Sequence, residues 1–133
     1  MNDQSLIHML NQRVRFINKH LNEQLKQYGL YHAQWAILFL LKNSGPLKLT
    51  ELTKYLNVEA PTVTRTLKRM EDNGWIKKVR GSDKRERVIQ LTDIAESKYK
   101  DIEKIVTLHD QEMLANLTEE ERETFYLLLT KLG

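Results

Sequence analysis

A run of hydroxyl and basic side chains between positions 62 and 69 offers the first chemistry in this sequence. Val63, Leu67 and Met70 recur at helical spacing, which predicts one buried helix face and leaves the polar side chains on the other faces. Short hydroxyls near a helix N-terminus allow close approach to phosphates and base edges, and arginine can address a guanine with two parallel hydrogen bonds. The side chains predicted to contact DNA from this helix are Thr62, Thr64, Arg65, Lys68 and Arg69.

A second basic group follows in the polar loop 81–86, between two predicted strands at 75–80 and 87–91. The cations of this loop and of the first position of the strand after it are Lys84, Arg85 and Arg87, a cluster that suits a narrow and electronegative minor groove. Threonines at a helix start are often only caps, and a basic hairpin is often only a solvated one. The order of helix, turn, helix and hairpin favours double-stranded DNA as the partner of both groups.

The elements before this helix must position it. Apolar residues from Leu6 to Leu25 recur every three or four positions and predict a long first helix that Gly29 ends. A second helix is predicted over about 31–43, followed by a short bridging strand at 47–49. Thr50 is predicted to cap a short helix through Leu56. A three-residue turn then leads to the basic helix, so the pair forms a helix-turn-helix unit whose second helix can enter a major groove.

Residues that typically begin or end helices also indicate the limits of the elements after the turn. Pro61 suits the first position of the second helix, and Gly74 can adopt the left-handed conformation that ends it. Thr92 begins another long helix, and the segment 118–121 is a capping box for the last one. The side chains that this last helix is predicted to bury are Phe125, Leu128, Leu129 and Leu132.

Composition and charge restrict the class of protein. The 133 residues suit one domain, the longest apolar run is too short for a bilayer, and no export signal or cysteine is present. We therefore expect a cytoplasmic protein that does not enter membranes. Residues 60–90 hold nine Lys or Arg against four Asp or Glu, whereas residues 91–133 hold five against ten. This asymmetry indicates one surface that meets phosphate.

Catalytic and metal chemistry have little support in the sequence. No nucleophile with its base, paired carboxylates or glycine-rich phosphate loop is visible, so we predict no enzymatic activity and no cofactor. His8, His20, His32 and His109 include no pair three to five residues apart, so we predict no metal site. The remaining alternative to sequence-specific DNA binding is a winged-helix module that binds other proteins.

These motifs resemble the MarR (multiple-antibiotic-resistance regulator) family over nearly the whole chain. The segment 83–92 is similar to the family's Asp-x-Arg wing with its strand and Leu-Thr helix start, and segments 50–52, 62–67 and 73–76 are similar to its helix-turn-helix. The resemblance implies that Arg85 reaches the minor groove and that Asp83 braces the wing through a charged hydrogen bond. Glu59 departs from the family, which usually has a small hydroxyl cap there, and Ala95 replaces a glycine.

The resemblance also implies an architecture and a mode of action. The fold is expected to be mainly α with a small β-hairpin wing: one domain over 1–133, with a winged helix-turn-helix lobe over 31–91 and dimerisation helices over 1–28 and 92–133. His109 is expected at the dimer interface. A twofold would place two recognition helices ~34 Å apart, on a pseudo-palindromic operator.

The resemblance further implies a transcription regulator, most simply a repressor that a small aromatic or phenolic effector releases from DNA. The aromatic side chains that can line a ligand pocket are Phe16, Tyr31, Trp35 and Phe39. Ordinary core packing is the alternative role for these four side chains.

Overall fold

The computed structural model describes residues 1–83 and 85–133 of the chain, and the predicted fold class is confirmed. Its described part is mainly helical, with one small antiparallel sheet. The elements are α1 (Asp3–Leu25), a 3-10 turn (Lys26–Tyr28), α2 (His32–Ser44), β1 (Leu47–Lys48), α3 (Leu49–Leu56), α4 (Ala60–Asp72), β2 (Ile76–Arg80), β3 (Arg87–Leu91), α5 (Asp93–Met113) and α6 (Glu119–Leu129). Among the described residues, no helix is long and apolar enough to cross a membrane.

The sheet joins the hairpin to the chain that precedes α3. Its strand order is β1-β3-β2, so the second hairpin strand pairs with both neighbours. Leu47 lies opposite Ile89, and Ile76 lies opposite Leu91. The limits predicted for the second hairpin strand are confirmed, whereas the first strand begins one residue later than predicted, after the buried side chain of Trp75.

The predicted start of α3 is wrong. The helix begins at Leu49, and the free backbone N–H of Lys48 donates to the Glu51 carboxylate at 2.9 Å. Thr50 therefore lies inside the first turn, where its carbonyl oxygen accepts a hydrogen bond from the Thr53 hydroxyl at 2.9 Å. Pairing of β1 with β3 fixes Lys48 at the strand end, so the helix starts immediately afterwards and a carboxylate takes over the cap.

The two ends of α4 agree more closely with the sequence-based prediction. Pro61 occupies the second rather than the first helical position, and Glu59 before it makes no side-chain cap hydrogen bond with any described residue. At the other end Gly74 has φ +84, and the Trp75 N–H donates to the Met70 carbonyl at 2.9 Å. This left-handed glycine ends the helix as predicted and turns the chain into β2.

The Thr92 hydroxyl connects the turn after α4 with the start of α5. It donates to the Gly74 carbonyl at 2.6 Å and accepts from the Ala95 N–H at 3.2 Å, so the predicted helix start is confirmed. The buried core below this junction is one cluster drawn from the C-terminal end of α1, from α2 to α5 and from the sheet. Its most enclosed members are Leu25, Ile37, Leu38, Leu52, Leu67, Met70, Ile76, Ile89 and Ile102.

The last helix does not bury the side chains that were predicted to be buried. Phe125, Leu128, Leu129 and Leu132 are 41%, 56%, 43% and 55% exposed, and α6 contributes no buried residue to the described chain. Its capping box is nevertheless present, with the Glu121 N–H donating to the Thr118 hydroxyl at 3.1 Å. Local signals fix the helix, but α5 ends at Met113 and the chain then leads α6 away from its own core.

Helix α5 also places His109 differently from the expectation. The side chain is 3% exposed within the single chain, so it does not lie on the free surface of the protomer where a dimer interface was expected. Its Nδ1 lies 3.0 Å from an Asp110 carboxylate oxygen. The apolar stripe around it packs inward because α5 lies along α1.

Candidate nucleic-acid interface

Helix α4 separates its core face from its polar face along its whole length. Val63, Leu67 and Met70 are buried, as their spacing predicts. At 100° per residue, position 65 points almost directly away from that buried stripe, whereas position 68 lies about 45° to one side of that direction, and both are exposed. The exposed surface also contains the other predicted DNA contacts from this helix, which are Thr62, Thr64 and Arg69.

Two cations on the exposed face of α4 have different partners. Lys68 Nζ lies 3.0 Å from the Asp72 carboxylate, and this hydrogen bond is the main cause that raises the pKa of Lys68. Arg65 has only a long contact of 3.4 Å from Nη2 to the Thr62 hydroxyl, and no described carboxylate pairs with it. Arg65 is therefore the cation that can bind a base edge or phosphate without first breaking an ion pair.

The hairpin tip places a second cation in solvent. Arg85 is exposed, and its N–H donates to the Asp83 carboxylate at 3.1 Å. The Asp83 carbonyl also accepts from the Glu86 N–H at 3.0 Å, so one residue closes two turns of the loop. Bracing of the wing by Asp83 remains a prediction that this geometry supports. Lys84, which the sequence also predicts at this tip, lies outside the described residues.

The base of the hairpin contains contacts that no sequence pattern predicted. Arg87 is exposed at the start of β3 and donates from Nη1 to the Glu86 carbonyl at 3.3 Å. Glu86 itself pairs with Lys48, its Oε1 lying 3.0 Å from Nζ. The hydrogen bond to Glu86 is the main cause that raises the pKa of Lys48. These two residues are distant in sequence, so no local pattern connects them; the pairing of β1 with β3 brings them together.

An apolar cavity of about 220 Å³ lies between α2 and α4. Residues of α2, of the turn after α3 and of α4 line it, among them His32, Ala36, Ile37, Val58, Thr62 and Thr66. A molecule in this cavity would touch the helix that carries Arg65.

The four aromatic residues predicted to line a ligand pocket lie on α1, at the N-terminal cap of α2 and within α2. Phe16 lies on α1 with its ring 4.6 Å from the His20 ring, and Tyr31 caps α2. Trp35 stacks on Tyr99 at 5.4 Å, and Phe39 lies beside it at 6.0 Å. None of the four is among the described residues that line the cavity between α2 and α4. Trp35 and Tyr99 instead join α2 to α5.

His32 connects this cavity with α1. Its backbone N–H donates to the Asn22 side-chain oxygen at 2.7 Å, and its Nδ1 lies 3.1 Å from the same oxygen. Because that oxygen accepts the backbone N–H, it also fits a neutral imidazole that donates from Nδ1. Partial burial lowers the pKa of His32 from its usual value of 6.5.

The lowered pKa predicts a pH dependence of stability. The unfolded chain binds a proton at His32 more readily than the folded chain does, so stability should fall as pH decreases from above 6.5 through the lowered folded pKa. We expect thermal unfolding of a His32→Gln variant to lose less midpoint temperature between about pH 7.5 and 5.5 than the wild type loses. Equal losses in the two proteins would contradict this role of His32.

The helix-turn-helix of α3 and α4, followed by a hairpin with exposed cations, defines the winged helix-turn-helix class of DNA-binding transcription regulators. Residues 30–86 match the model of the MarR family. The chain is 48% identical over 120 residues to the uncharacterized HTH-type transcriptional regulator YwoH of Bacillus subtilis (strain 168), covering 90% of this chain and 88% of that protein. The chain belongs to the MarR family.

Two further relatives extend the similarity to almost the whole chain. The multiple antibiotic resistance protein MarR of Escherichia coli (strain K12) is 33% identical over 129 residues, which cover 95% of this chain and 87% of that protein. A crystal structure of a mutant MarR from E. coli complexed with operator DNA matches with a TM-score of 0.84 at 31% identity. That match covers 96% of this chain and 91% of the other.

Proposed function

We propose that this protein is a homodimeric repressor in the cytoplasm that binds a pseudo-palindromic operator and leaves it when a small aromatic or phenolic molecule binds. Helix α4 enters the major groove, and the wing, residues 81–86, enters the adjacent minor groove. The observation that carries the proposal is the exposed guanidinium of Arg65, which lies on the face of α4 opposite the core and has no ion-pair partner among the described residues. The similarity to a MarR protein complexed with operator DNA supports the proposed DNA binding.

The predicted DNA contacts and the exposed apolar side chains lie in different segments of the chain, which supports the same proposal. The lobe 31–91 contains α2 to β3 and all the predicted DNA contacts. The segments 1–28 and 92–133 form the dimerisation helices. Large apolar side chains that the protomer leaves exposed lie on both segments; on α1 and α6 they include Leu6, Ile7, Phe16, Phe125, Leu128 and Leu129. A second copy of the chain would remove these side chains from water.

The cavity between α2 and α4 supports the effector part of the proposal. Its volume is about 220 Å³, and apolar side chains form most of its lining. Thr62 and Thr66 form part of its wall, so an occupant would press on the helix that reads DNA. The effector pocket is therefore proposed at this cavity. A pocket lined by Phe16, Tyr31, Trp35 and Phe39 stays a prediction.

Selection from a pool of random duplexes tests the DNA-binding function directly. Purified protein is incubated with the pool near physiological salt, and the bound duplexes are amplified and sequenced. We expect a pseudo-palindrome whose half-sites are about one helical turn apart. Recovery of no motif, with binding that disappears as salt rises, would support the alternative of a protein-binding winged helix.

Removing the cation at the wing tip should weaken binding without changing sequence preference. We expect Arg85→Ala to lower affinity by a similar factor on the selected operator and on a scrambled duplex, and to reduce the salt slope by about 1. Lys100→Ala, which removes an exposed cation from α5, is the matched control and should leave both quantities unchanged. An unchanged salt slope in Arg85→Ala would exclude a phosphate contact by this residue.

A further inference from the structure

A cross-strand ion pair holds the base of the wing from the side of α3. Glu86 is the last wing residue before β3, and Lys48 is the last residue of β1. Their charged groups lie 3.0 Å apart, with side-chain exposures of 31% and 48%. Glu86 and Asp83 are the two acids of the wing, and the charge of Glu86 is partly cancelled on the side of β1.

The other side of the Glu86 carboxylate is closed by Gly81. A β-carbon at Gly81 would lie 2.9 Å from Glu86 Oε2 and 3.1 Å from Glu86 Cβ, so any larger residue there would displace the side chain. The Gly81 N–H also donates to the Glu86 carbonyl at 3.3 Å. The carboxylate is therefore held between the Lys48 ammonium and the bare backbone of Gly81.

The same lysine also begins the helix-turn-helix. Its backbone N–H donates to Glu51 in the first turn of α3 at 2.9 Å, while its side chain reaches the wing. Lys48 therefore connects the two parts that must fit two different grooves at once. A small change in the angle between those parts would misplace one contact whenever the other is made.

We propose that Lys48 and Glu86 are positioning residues that set the direction of the wing relative to α4, and so contribute to sequence selectivity without touching DNA. The proposal rests on the proposed function of the wing. On this proposal, the preference for the operator over a scrambled duplex depends on the ion pair between Lys48 and Glu86. The affinity for any duplex depends instead on the net charge of the protein. The two quantities can be measured separately on the selected operator and on a scrambled duplex of equal length.

The two single variants change the net charge in opposite directions, and both break the ion pair between Lys48 and Glu86. Glu86→Gln removes an acid near phosphates, so its affinity for the scrambled duplex should rise, whereas Lys48→Met should lower that affinity. Both variants should reduce the preference for the operator by about threefold, as expected for a partly exposed ion pair. The double variant should lose no more preference than either single variant, because the pair is broken only once.

Two further variants separate position from charge. Gly81→Ala keeps both charges but pushes the Glu86 carboxylate away, and we expect the same loss of preference as in Glu86→Gln. Lys77→Met removes an exposed cation from β2 without touching the pair, and it should lower affinity on both duplexes equally.

The outcomes distinguish the positioning role from the function on which it rests. Unchanged operator preference in Glu86→Gln, or losses that add in the double variant, would overturn the positioning role. A wild-type protein that prefers no sequence at all would overturn the proposed function instead.

Discussion

Replacement of Arg65 by alanine should reduce the preference for the operator over a scrambled duplex by roughly tenfold to a hundredfold. The guanidinium is exposed on the face of α4 opposite the core and has no described carboxylate to leave before it binds. A bidentate contact to a base contributes about 1–3 kcal/mol of discrimination, which sets the expected size. Titration of labelled operator and scrambled duplexes at one salt concentration measures it.

Two variants on the same helix face serve as controls. Arg65→Lys keeps the charge but lacks the planar fork, so it should retain affinity for the scrambled duplex and still lose preference for the operator. Lys68→Ala should have a smaller effect than Arg65→Ala, because Lys68 must exchange its contact with Asp72 for one with DNA. If Arg65→Ala lowers affinity equally on every duplex, Arg65 contacts phosphate and does not read bases.

A charged residue in the apolar surface of α6 should separate the subunits and lower affinity for the full operator by about 10²–10⁴-fold. Leu128 is 56% exposed in the protomer, and α6 buries none of its own residues within the described chain. A helix of 11 residues is marginal in water without packing, so its stability in this protein requires a covering surface. Leu128→Glu would place an unpaired charge in that surface and disconnect the two recognition helices.

Sedimentation equilibrium and operator titration together test this prediction. We expect Leu128→Glu to be monomeric at concentrations where the wild type is dimeric, with circular dichroism showing that the lobe remains helical. Glu123→Gln, an exposed polar change on the same helix, is the matched control and should stay dimeric. A dimeric Leu128→Glu protein with unchanged operator affinity would place the subunit contact elsewhere.

Both predictions depend on structural features of the chain. Some of these features could be predicted from the sequence, and others could not. The buried stripe of α4, the left-handed Gly74 and the capping box at Thr118 were predicted from residues within a few positions of one another. Helix periodicity and caps depend on contacts of that range, so a single sequence contains the information. The side of α4 predicted to face DNA follows directly, because it is the side that does not pack against the core.

Tertiary structure decided where distant segments meet. The start of α3 moved to Leu49 because β1 pairs with β3, and the same pairing brought Lys48 to Glu86. The packing of α2 against α5 placed Trp35 on Tyr99, and the packing of α2 against α4 formed the cavity. The burial expected for α6 was wrong for this chain alone, since an amphipathic pattern specifies that a face will be covered and does not specify what covers it. The sequence by itself determined the helices, their ends and the basic recognition surface, and only the packing of segments far apart in the chain decided how the wing is held and which apolar faces remain free.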